Sequence, residues 1–67
     1  MDYVQLGKRV RIRRTVLELT QEELAERIGV CNSFIGHIER GSRKLSVDTL
    51  YDLCNALETS ADFLLGL

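Results

Sequence analysis

The stretch TQEELAERIGVCNSFIGHIERG, Thr20 to Gly41, decides the fold. It reads as two short helices joined by a tight turn. Thr20-Gln21-Glu22-Glu23 fits a capping box, with Thr20 as N-cap and Glu23 reaching back to it. Leu24, Ala25 and Ile28 form the inner face of the helix that follows. Gly29 ends it, because glycine enters the left-handed conformation at least cost. The next helix begins near Cys31 and ends before Gly41. Ile35 and Ile38 face inward, with Cys31 and Phe34 nearby. The opposite side collects Ser33, Gly36, His37 and Arg40, with Asn32 in the first turn, and has almost no apolar surface. Two helices crossing at a wide angle over a short turn touch near the middle of the first, where only a side chain as small as Ala25 fits. The pattern is a helix-turn-helix whose second helix keeps one face outside.

Outward from this stretch, helical spacing continues in both directions. The chain has no proline, no strand-like alternation, no repeat and no low-complexity segment. A first helix is expected from about Tyr3 to Glu18, with Leu6, Val10 and Leu17 on one stripe and Tyr3 beside them. Arg13 and Arg14 flank that stripe equally, while Lys8 and Arg11 point away. Ser46 caps a fourth helix, with Asp48 in its first turn and Val47, Leu50, Cys54 and Leu57 at helical spacing. Thr59 or Ser60 caps a short fifth helix holding Phe63 and Leu64, which Gly66 closes. Five helices joined by short links predict an all-α, compact five-helix bundle, residues 1–67 forming a single domain.

The bulk numbers agree and exclude several classes. Sixty-seven residues allow one domain, near the lower size limit for folding without staples. No apolar run approaches the roughly 20 residues of a membrane span. The N-terminus lacks the apolar region of a signal peptide, so the expected location is cytoplasmic. There the only two cysteines, Cys31 and Cys54, are expected to be reduced. Net charge is −1, yet it is unevenly spread. Residues 1–45 carry nine basic and six acidic side chains, net +3; residues 46–67 carry four acidic and no basic ones, net −4. A basic front and an acidic back suit a sided binding surface.

LTQEELAERIGV (Leu19 to Val30), FIGHIERG (Phe34 to Gly41) and SADFLLG (Ser60 to Gly66), with the basic LGKRVRIRR (Leu6 to Arg14), resemble the Cro and lambda-repressor type of helix-turn-helix domain, the Xre family. The resemblance covers essentially the whole chain. It implies a sequence-specific double-stranded DNA-binding transcriptional regulator, most simply a repressor, with the helix around residues 32–40 in the major groove. Carried over residue by residue, it assigns base contacts to Asn32, Ser33, Gly36 and His37. Phosphate contacts fall to Gln21, which also braces the first residue of the reading helix, and to Arg43 and Lys44 in the following loop. Arg40 joins them by charge and position. The resemblance pairs Arg14, and not Arg13, with Glu39 as a structural ion pair. Asparagine can bond adenine at N6 and N7 together, and serine suits either base type. The chain departs from the family at Cys31, where Ser or Thr is usual, at Asn32, often a longer Gln, at Gly36, usually a larger side chain, and at Glu18, often Gly.

Phe63, Leu64, Leu65 and Leu67 exceed what one short helix can bury, and they are expected to form a dimer interface. The expected partners are therefore a two-fold symmetric operator and a second copy of the chain, bound in solution or only on DNA. As a single domain the chain is expected to lack an inducer pocket, so control falls to its concentration, a partner or degradation. No small-molecule ligand, cofactor or metal is expected: His37 and the two cysteines lack zinc-type spacing. Cys54 is read as packing and Cys31 as packing at the helix start. Glu22, Glu23, Glu26 and Arg27 form a solvated outer face that must point away from DNA. An enzyme is not expected, since no pair of reactive groups sits at a catalytic spacing. The rival reading is an antitoxin-like protein-interaction module of the same fold, whose third helix would carry an apolar or acidic outer face.

Overall fold

Every helix but one begins where the sequence supplies a side-chain oxygen for its free N–H groups. The computed structural model describes all of residues 1–67 and contains helices α1 (Tyr3–Val16), α2 (Gln21–Ile28), α3 (Asn32–Arg40), α4 (Val47–Ala56) and α5 (Ala61–Leu65). Asp2 accepts from the Gln5 amide at 3.1 Å, Thr20 from Glu23 at 3.0 Å, Ser46 from Thr49 at 3.1 Å and Ser60 from Phe63 at 3.1 Å. At α2 the capping box is complete, the Glu23 carboxylate accepting from the Thr20 amide at 2.9 Å. Cys31, the N-cap of α3, makes no capping bond.

All five helices end in the same way. One residue past the last turn takes a left-handed conformation, and the next amide bonds a carbonyl five residues back, the Schellman pattern. The bonds are Leu19 N–H to Arg14 O, Val30 to Ala25, Ser42 to His37, Thr59 to Cys54 and Leu67 to Asp62, all 2.9–3.0 Å. Glycine fills the left-handed position in α2, α3 and α5, but Glu18 (φ 57°) and Glu58 (φ 53°) fill it after α1 and α4. The expected first helix therefore stops two residues early: Leu17 is its C-cap and Glu18 already belongs to the turn.

The core is built from Leu6 and Val10 of α1, Leu24 and Ala25 of α2, Ile35 and Ile38 of α3, Leu53 of α4, Leu57 and Leu64. Helix α1 packs on α3 and α5, α2 on α3 and α4, and α4 on α5. The crossing of α1 over α3 depends on Gly7. A Cβ there would overlap the Ile38 carbonyl oxygen and lie 2.6 Å from that of Glu39, so only glycine lets the helices approach this closely.

Two expectations are corrected here. Val47 is 82 % exposed because, as the first residue after the Ser46 cap, it faces off the bundle; Leu53 takes the inward place. Leu64 is fully buried, and it is the residue by which the five-residue α5 closes the end of the core, so it does not belong to an interface. Leu65 is half-buried, whereas Phe63 (38 % exposed) and Leu67 (88 %) face outward. No helix is long and apolar enough to cross a membrane.

Candidate nucleic-acid interface

Helix α3 is seated by Ile35 and Ile38, both essentially buried, and its polar side is left outside. Asn32, Ser33, His37 and Arg40 are all exposed on that side. Its azimuth is fixed by Glu39, at the edge between core and solvent. Arg14 donates from Nε to Glu39 Oε2 at 2.6 Å and from Nη2 to Oε1 at 3.1 Å, while Nη1 donates to the Leu19 carbonyl at 2.8 Å. The side chains are 14 % and 4 % exposed, so the pair is shielded from water. Hydrogen bonding to Glu39 raises Arg14 above its already high ordinary pKa.

Gln21 joins this cluster. Its Nε2 donates to Glu39 Oε1 at 3.1 Å, so its brace runs to the far end of α3 and not to the first residue of that helix. The amide keeps a second N–H, and the backbone N–H groups of Gln21 and Glu22, which the Thr20 cap does not use, remain free for an anion. One carboxylate thus collects α1, α2 and α3, and sets the angle at which α3 is presented.

The loop after α3 brings cations beside it. The Arg43 guanidinium lies 5.1 Å from the centroid of the Phe34 ring, a cation–π arrangement. Arg43, Phe34, Cys31, Ser33 and His37 line one shallow hollow along α3. Lys44 is exposed next to Arg43. Ser42 Oγ donates to the His37 carbonyl at 3.2 Å and lies 3.2 Å from His37 Nδ1, tying the loop back to the helix.

Gly36 corrects its expected role. It is buried although it sits on the outward side of α3, because the Arg40 side chain covers it. It therefore offers a base no surface of its own. Cys31 departs from its reading as packing: it is exposed, with Sγ 3.4 Å from Ser33 Oγ. The Ser33 hydroxyl first, then the Phe34 amide, hold its thiol below the ordinary range. Burial pushes Cys54 the other way, in keeping with packing. Glu22, Glu23, Glu26 and Arg27 are exposed along α2.

Arg13 is the residue that spacing alone left unassigned. It donates from Nε and Nη2 to the Leu57 carbonyl at 3.3 and 3.1 Å, and from Nη2 to that of Glu58 at 3.2 Å. It closes the free carbonyls at the end of α4, whereas Arg14 serves Glu39 near the end of α3 and the Leu19 carbonyl after α1. The adjacency of two arginines across the core stripe was the only trace of this division.

A short three-helix unit carried on a small bundle, with the outer side of its last helix polar and flanked by cations, defines a helix-turn-helix domain. Comparison with known proteins agrees: a family model described as helix-turn-helix matches residues 10–64, and the chain belongs to that family. It is 48 % identical over 58 residues to an uncharacterized transcriptional regulator in the ATPase CF(0) region of Rhodospirillum rubrum, a match covering 87 % of this chain and 54 % of that one. The chain spans about half the length of such curated relatives. Its fold is similar to the restriction-modification controller protein C.AhdI from Aeromonas hydrophila, at TM-score 0.88 and 38 % identity, covering 94 % and 96 % of the two chains. It is also similar to the P22 c2 repressor protein, solved in complex with a synthetic operator, at TM-score 0.83 and 36 % identity over 88 % and 89 % of the chains.

Proposed function

We propose that the chain is a sequence-specific double-stranded DNA-binding transcriptional regulator, acting as a repressor, that inserts α3 into the major groove. The observation that carries this reading is the exposed side of α3. It holds Asn32, Ser33, His37 and Arg40, no carboxylate and no large apolar group, on a helix locked in place by Arg14 and Glu39. An interaction module would bury an apolar or acidic face there. Asn32, Ser33 and His37 meet base edges. Gln21, Arg43 and Lys44 hold phosphates, with the first-turn amides of α2 and α3 beside them. The similarity to a repressor solved with its operator supports the same orientation.

The operator is two-fold symmetric and the bound form is a homodimer. Val47, Tyr51, Phe63 and Leu67 are exposed apolar groups on α4 and α5 and beyond its end, and Val47 and Tyr51 border a groove floored by Leu50 and Cys54. Pairing there sets two copies of α3 in successive major grooves about 34–36 Å apart. The place of action is the cytoplasm, where the DNA is.

The test is selection from random duplex DNA at two salt concentrations, for the wild type and an Asn32→Ala/His37→Ala variant. Enrichment of a symmetric site that the variant no longer selects is the expected result. Weak, unselective binding that vanishes with salt and ignores the substitutions would return α3 to a structural role.

A further inference from the structure

We propose that Arg40 is a specificity-determining residue that reads a guanine, and that Gly36 is the gap which lets it do so. The inference rests on the DNA-binding reading above and reassigns one residue within it. Position alone suggests a phosphate contact, since Arg40 is the last residue of α3. The side chain, however, does not extend outward from that end. Helical side chains lean toward the N-terminus and cover the turn before their own Cα. Here the turn before holds Gly36, four residues back, and the guanidinium lies directly over it.

A Cβ built at residue 36 would find Arg40 Nη1 at 3.2 Å and Cζ and Nη2 at 3.8 Å as its three nearest neighbours. The space a larger side chain would use at this position is filled by the planar head of Arg40. The outward surface between Asn32 and His37, in the middle of α3, is therefore a guanidinium.

The head is held there. Arg40 Nη2 lies 3.2 Å from His37 Nδ1. Arginine only donates, so Nδ1 accepts and the ring proton sits on Nε2. Ser42 Oγ donates its one proton to the His37 carbonyl and packs beside the same ring at 3.2 Å. No carboxylate competes for Arg40, since the ion pair of this helix joins Glu39 to Arg14. Guanidinium carries five N–H donors in a rigid plane, and one faces His37. The others are free, and two parallel N–H groups match O6 and N7 of guanine, the commonest specific contact in the major groove.

The experiment is the same selection and a titration series on single-base variants of the enriched site, for wild type, Arg40→Lys and Gly36→Gln. Gly36→Gln keeps the charge of Arg40 but takes the place of its head; it favours helix and meets only a flexible side-chain tip. Both variants are checked for unchanged helical circular dichroism and melting. The expected result is one guanine per half-site in the wild-type operator whose preference falls by roughly tenfold or more in both variants. Preference elsewhere is kept, and so is the slope of log affinity against log salt. The same site selected by all three proteins, with an equal guanine preference in each, would make Arg40 a phosphate contact and overturn the proposal. A wild type that enriches no site at all would remove the DNA-binding reading itself, and this inference with it.

Discussion

Arg14 and Glu39 are joined by two parallel hydrogen bonds, Nε to Oε2 at 2.6 Å and Nη2 to Oε1 at 3.1 Å, across the contact between α1 and α3. The pair is the hub of the domain, since Gln21 of α2 also donates to Glu39 and Arg14 also serves the Leu19 carbonyl. A shielded pair of this kind stabilises little against an apolar replacement of both partners, but breaking it strands a charge. Arg14→Ala is expected to cost about 3–5 kcal/mol. Against a total of about 3–10 kcal/mol for a chain of this size, that unfolds much of the protein. An Arg14→Met/Glu39→Met double variant should recover most of the loss in urea unfolding while losing affinity for DNA, because α3 is no longer held at a fixed angle. A double variant with full affinity would show that the pair does not orient the reading helix.

Gly7→Ala is expected to be as damaging as the loss of that pair, though it adds a single methyl. The new Cβ would overlap the Ile38 carbonyl and crowd that of Glu39, both backbone atoms of α3 that cannot turn aside. Helix α1 must then move off α3, at a cost of about 3 kcal/mol or more. Gly36→Ala is the control: it meets only the Arg40 side chain and gains helix propensity, so it should raise stability by about 0.5–1 kcal/mol. Thermal unfolding of the two variants separates close packing from a glycine effect on the unfolded chain.

Glu18→Gly should stabilise the domain. Glu18 sits at φ 57° in the turn between α1 and α2, where an L side chain costs about 1–2 kcal/mol and glycine almost nothing. Part of that gain is returned through the greater freedom of glycine in the unfolded chain, leaving about 0.5–1 kcal/mol. A fall in melting temperature would mean that the Glu18 side chain contributes something its exposure does not show.

These effects divide by how local their causes are. The capping box at Thr20, the left-handed Gly29 and the inward Ile35 and Ile38 are each set within one turn of helix, and the sequence displays them directly. Glu18 was visible too, as a departure from a glycine. Gly7 was not, because nothing near it in the chain tells that the Ile38 carbonyl lies opposite. The same holds for Arg13, whose acceptors are 44 and 45 residues away. The error at Val47 and Leu64 came from phase: helical spacing places a stripe, but the first residue after a cap and a five-residue helix are too short to show which side faces the core. Spacing places Gly36 on the right side of α3, yet Arg40 one turn on covers it, and side-chain direction is not readable from spacing alone.

The α2 cap should make stability sensitive to acid. The Thr20 amide, then its hydroxyl, hold the Glu23 carboxyl below the ordinary range. A carboxyl depressed in the folded state adds stability that is complete above its unfolded value, about pH 4.3, and is lost as pH falls through the lowered folded value. Glu23→Gln keeps a capping side chain but no longer titrates there. Its stability should therefore vary less than that of the wild type below about pH 4.3. Equal acid dependence in the two proteins would place the titrating group elsewhere.

The two cysteines should differ in reactivity, and DNA should change only one of them. Cys31 is exposed at the start of α3 and held below the ordinary thiol range by the Ser33 hydroxyl and the Phe34 amide. Cys54 is half-buried in α4, where burial raises it. The thiolate is the reactive form, so iodoacetamide at neutral pH should label Cys31 first, followed by mass spectrometry of the digested protein. Cys31 lies beside Asn32 and Ser33, so a bound operator should slow its labelling and leave that of Cys54 unchanged. Labelling of Cys31 at the same rate with and without saturating operator would place the start of α3 outside the groove.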